Sequence, residues 1–237
     1  MKKGFAGFPV EGMRFLADLK ENNHREWFQP RKAVFDEAVK QPMLTLVRAL
    51  QNEMLRFAPN YVADPAKTLY RIYRDVRFSK NKAPYKPHIA SLFRRNGFGK
   101  DDGAGFFFLI SPAVIEIIGG IYAPPPDNLR AVRQYIADNA GKFSKLCTKP
   151  ELVNLMGGLQ GEASKRPPKG FDPNHPAIDL IKMKQYLFMT TLDGTLATAP
   201  SLFPEILSRL QAMTPFVDFL NAPLLEMPKS DKRFFEE

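Results

Sequence analysis

Apolar residues recur at helical spacing through the first sixty positions. After Phe8-Pro9, where the proline suits a first helical turn, Met13, Phe15, Leu16 and Leu19 make one stripe that Asn22-Asn23 interrupts. Asn23, with Glu26 three residues on, has the form of a capping box, and Trp27, Phe28, Phe35 and Val39 supply the buried face of the helix it predicts. Asn22, Asn23 and His24 are accordingly read as residues that end and cap helices. A third helix follows between Pro42 and Pro59, with Leu46, Val47, Leu50, Met54 and Phe57 on one side.

The pattern changes after Asp64-Pro65. Residues 69–74, rich in Tyr and Ile, read as a strand entering a loop, because Pro84 and Pro87 oppose a long helix; a helical reading would instead align Arg71, Arg74 and Arg77. Further strands are expected at 89–93, 106–110, 114–121 and 186–192, with a glycine-rich loop tip at 96–105. The unbroken apolar runs at 106–110 and 114–118 make a hairpin and imply a sheet buried on both faces. A helix starts at Asp127 or Asn128 and carries Leu129, Val132 and Ile136 as far as Gly141. The stretch 149–176 reads as irregular, 178–184 as a short helix, and 201–220 as a last helix kinked at Pro215. No repeat or low-complexity linker divides the chain. The expected fold is α+β: a single domain with a mostly antiparallel central sheet packed with N-terminal and C-terminal helices.

With 237 residues, 44% of them hydrophobic, the chain has ample material for a core. No apolar run approaches the roughly 18 residues of a membrane helix, and Glu11 comes too early for a secretory leader. A cytoplasmic protein without membrane association is expected. The lone Cys147 reads as a buried small hydrophobe. His24, His88 and His175 lack metal-ligand spacing, and the phosphate-loop, dinucleotide and nucleophile-elbow motifs do not occur, so no metal or cofactor is expected.

Charge singles out one segment. Between residues 67 and 100 ten Lys and Arg face Asp75 alone, a local +9 that equals the net charge of the whole chain. At its centre Arg71, Arg74, Arg77, Lys80, Lys82 and Lys86 alternate with Tyr70, Tyr73, Phe78 and Tyr85. Arginine forks bind phosphate and carboxylate oxygens in pairs, and aromatic neighbours exclude competing water. The expected site binds a small anionic ligand through Arg71, Arg74, Arg77, Lys82 and Tyr85, together with Lys169 of the proline-rich loop 165–176. Asp75 or His175 is the candidate general base if there is catalysis. Such a pocket requires two or three of those cations to be half-buried around a concavity near Lys169 or His175. The alternatives are a solvated charged face, an internal network centred on Asp75, a nucleic-acid surface on which Tyr70, Tyr73 or Phe78 stacks, and an interaction module without catalysis.

The run Arg71-x-x-Arg74-Asp75-x-Arg77-Phe78-x-x-x-Lys82-x-Pro84-Tyr85 resembles the signature of an uncharacterised family, a domain of unknown function common in bacteria and present in some fungi. FAGFP at 5–9, NNHREWF at 22–28, GGIYAPPPDNLRAVR at 119–133 and KRPPKGFDPNHP at 165–176 extend the resemblance over nearly the full length. It implies that these segments share one domain and converge. It brings no substrate, cofactor or catalytic residue.

Overall fold

Helical periodicity in the N-terminal quarter produces the expected helices, joined in an unexpected way. The computed structural model describes residues 5–99 and 101–227, so the last cation of the basic segment, Lys100, lies outside the described residues. Helix α1 (Val10–Glu21) buries Met13, Phe15, Leu16 and Leu19. A short α2 (Arg25–Phe28) and α3 (Lys32–Val34) then lead through a π-helical stretch, Phe35–Lys40, into α4 (Gln41–Met54). Asn23 does not cap α2: His24 holds the cap position, and the Asn23 side chain is engaged 62 residues away. After the single turn α5 (Pro65–Thr68), segment 69–74 forms no regular strand and makes only the isolated bridges Leu69 to Ser91 and Tyr73 to Tyr85.

The sheet is antiparallel, in the order β1 (Ile89–Arg94), β2 (Gly105–Ile110), β3 (Val114–Ile121), β4 (Tyr186–Asp193). Between β3 and β4 lie α6 (Pro126–Asp138), α7 (Ala140–Cys147), α8 (Pro150–Met156) and α9 (Ile178–Ile181). Helix α8 falls in a stretch expected to be irregular. Helix α10 (Leu202–Asn221) runs through Pro215 without interruption and is apolar on almost every side, as a helix at the centre of a core must be. It lies against β3 and touches α4, α7 and α8. Phe93, Phe106, Phe108, Ile117 and Phe188 line the inner face of the sheet and share one continuous hydrophobic cluster with α10. The protein is an α+β fold. Cys147 is buried, and burial pushes its thiol up to about 12.

One expectation about the sheet fails, and the failure matters. Phe107, Leu109 and Ile118 point away from α10 and stay half-exposed, and Met189 is exposed, so among the described residues the outer face is covered only in part, at Ala90 and Leu187, and by no continuous second layer. Among the described residues no helix is long and apolar enough to cross a membrane.

Candidate functional site

Residues 72–86 form a narrow finger. Its two arms pair through Arg74 N to Pro84 O at 2.8 Å and Lys86 N to Ile72 O at 2.8 Å. Its base is clamped by Asn23, whose amide donates to Tyr85 O at 3.0 Å and accepts from Tyr85 N at 2.9 Å. Buried Tyr85 stacks on Phe28 with ring centroids 4.1 Å apart. This joins NNHREWF to the Lys-x-Pro-Tyr end of the basic signature, one convergence that the resemblance implied.

The finger's cations serve its own turns. Arg77 forms a two-bond fork with Asp75, at 2.8 and 3.1 Å. Arg74 donates to Ala83 O and Lys82 to Val76 O, each at 3.0 Å. The Arg77 fork is the first cause that holds Asp75 down to about 2, and the Arg77 backbone N–H is the second, which makes Asp75 a weak proton acceptor near neutral pH. The concavity expected here does not form as described: Arg74 alone is half-buried, whereas Arg71, Arg77 and Lys82 are exposed.

Lys169 and His175 lie in a different neighbourhood. Loop 165–176 follows the bridge between Ala163 and Met183, and α6 reaches the same region when Arg133 donates to Met183 O at 2.9 Å. The Nδ1 of His175 accepts from Ala177 N at 3.0 Å, closing a local turn. Among the described residues none of this loop's hydrogen bonds reaches the finger. The structure therefore gathers Arg71, Arg74, Asp75, Arg77, Lys82 and Tyr85 in one segment and leaves Lys169 and His175 elsewhere.

Two concavities flank the start of the finger. The larger, about 490 Å³, lies on the outer face of the sheet, with Leu92, Phe107, Ile118 and Leu187 among its walls. Gly105 pairs with Gly120 across the β2–β3 ladder, so its floor carries no side chain at that point. Gly120 sits at φ +133°, a backbone region that side-chain-bearing residues rarely adopt. Polar groups occupy the rim: Arg94, Asp101, Tyr70 and Tyr122. Arg94 is half-buried, and its guanidinium has no ion pair or hydrogen bond with a described residue. The Tyr70 ring meets Phe107 edge-on at 5.8 Å, and its hydroxyl is pushed up by burial first and by Asp101 second.

The smaller cleft, about 290 Å³, lies on the other side of Tyr70 and is lined by Lys32, Asp36, Lys40, Arg71 and Tyr73 among others. Apart from Arg71 and Tyr73, sequence reasoning did not single out these positions as site residues. The available signal for the larger cleft was glycine inside apolar strands, at 105 and 120, which marks places where another group approaches the backbone.

Among the described residues no cluster of His, Cys, Asp and Glu is fit to hold a metal ion. A family model described as conserved hypothetical protein (DUF2461) matches residues 11–219. No curated protein matches the chain.

Proposed function

The chain belongs to the DUF2461 family of conserved hypothetical proteins, and since membership brings no activity with it, we propose from the outer cleft that the protein binds a small molecule with an apolar body and one carboxylate or phosphate. The observation that carries this reading is Arg94: a half-buried cation that makes no hydrogen bond or ion pair with a described residue, on the polar rim of a concavity whose floor is apolar. Asp101 shares the rim without bonding to the guanidinium, and an anion that bonds Arg94 directly and arrives with its own apolar surface supplies both the missing contact and the cover. The anionic head sits on Arg94, and the body lies over Phe107, Ile118 and Leu187. No catalytic step is assigned. The proposal includes a cytosolic setting.

Calorimetric titration with octanoate and with octanamide tests it. Octanoate binds and the neutral amide does not, and Arg94→Ala weakens octanoate by about 10- to 100-fold, the equivalent of one charge-assisted bond of roughly 1.5–3 kcal/mol. Equal binding of acid and amide, or an unchanged Arg94→Ala variant, contradicts the reading.

A second reading rests on Phe78, which is 95% exposed at the tip of the finger beside Arg77, Lys80 and Lys82. Under this reading the ring stacks on a base of single-stranded nucleic acid while the cations meet phosphates. Steep loss of oligonucleotide affinity with salt, and about a tenfold loss in Phe78→Ala, would support it. A flat salt response would exclude it.

A further inference from the structure

We propose that the cleft beside the π-helical stretch Phe35–Lys40 is a second anion site, built for a phosphate group carried on a planar ring. It shares no cation with the outer cleft and stands or falls independently of the Arg94 reading. Four charged residues line it: Lys32, Asp36, Lys40 and Arg71. Lys32 is already paired with Asp36 at 2.9 Å, whereas the side chains of Lys40 and Arg71 have no ion pair or hydrogen bond with a described residue. The lining therefore holds two positive charges in excess, contributed by segments 31 residues apart in the chain.

A π turn is a rare and unfavourable insertion that tends to persist where a site needs it. Here α1 holds it in place: Gly12 lies so close to the Ala38 carbonyl that a Cβ at position 12 would overlap it. The wider turn brings residues four and five apart to one side, and Phe35, Asp36 and Lys40 all line the cleft. Tyr73, 44% exposed, adds an aromatic wall that is itself braced by Tyr85 at 5.5 Å and Phe28 at 6.5 Å. Two cations that make no hydrogen bond or ion pair with a described residue, Arg71 feeling Asp75 only through space, fit a doubly charged phosphate, and an exposed, braced ring fits a flat group attached to it.

The test is an NMR titration of the full chain at low ionic strength with inorganic phosphate and with phenyl phosphate. Phenyl phosphate is expected to bind about tenfold more tightly than phosphate, with shifts centred on residues 32–40 and 71–73. Lys40→Gln and Arg71→Gln, both at exposed positions where folding survives, should each weaken it about tenfold, and Arg94→Ala should leave it unchanged. Shifts centred elsewhere, equal affinity for the two anions, undiminished binding to Lys40→Gln and Arg71→Gln, or absence of binding would each overturn the proposal. Loss of phenyl phosphate in Arg94→Ala alone would assign the anion to the outer cleft instead.

Discussion

Two side chains around the finger base carry more than their positions suggest. His88 is half-buried just after the finger, and burial first, then the Lys86 charge, pulls it from its ordinary 6.5 down to about 4. The unfolded chain takes up that proton near pH 6.5 and the folded chain only near pH 4. The contribution is thus intact above pH 6.5 and is lost as the pH falls through this window, by less than the roughly 3 kcal/mol of the full shift because solvent screens the partly exposed ring. Urea denaturation at pH 7 and pH 4.5 checks this, with the His88→Asn variant losing distinctly less stability than the wild type between the two. Asn23 is the other. Asn23→Ala leaves both backbone groups of Tyr85 without their partner, and about 2 kcal/mol of stability should go with them. Its polarity was plain in the sequence, but the local pattern with Glu26 pointed to a cap. A partner 62 residues away leaves no trace in local spacing.

Elements with a strong period were the legible ones. Stripes such as Met13, Phe15, Leu16, Leu19 have a single way to be buried, and α1, α4 and α6 follow from them. Segment 69–74 was misread because strand-favouring residues are not enough without a neighbouring ladder: it has two isolated bridges and no continuous partner. The runs 106–110 and 114–118 misled in another way, since an unbroken apolar stretch does not reveal that only one of its faces meets a helix. What closes the far end of the sheet is a polar knot. Asn221, at the end of α10, accepts from Ala104 N at 2.8 Å and donates to Ala104 O at 3.0 Å and to the Tyr61 hydroxyl at 2.9 Å. Tyr61 in turn donates to Asp218 at 2.7 Å. Because Asn221 is fully buried, Asn221→Ala should cost about 3 kcal/mol, read as a lowered urea midpoint with an unchanged slope.

For the molecule as a whole, the concentration of charge was legible and its use was not. Composition located the basic segment, but the finger's own carbonyls and Asp75 take up Arg74, Arg77 and Lys82, while Arg71 and Arg94 face separate concavities on either side of Tyr70. Which cations stay unpartnered depends on how 69–88 folds against the sheet and the N-terminal helices, and linear spacing does not encode that. The central claim is that the outer sheet face holds the apolar body of an anionic ligand. Intermolecular nuclear Overhauser effects between octanoate and a methyl-labelled sample test it most directly. The terminal methyl of octanoate should show contacts to Ile118, Leu92 and Leu187, all of which vanish in Arg94→Ala at the same ligand concentration; contacts confined to other methyl groups, or contacts to these three that persist without the arginine, would contradict it.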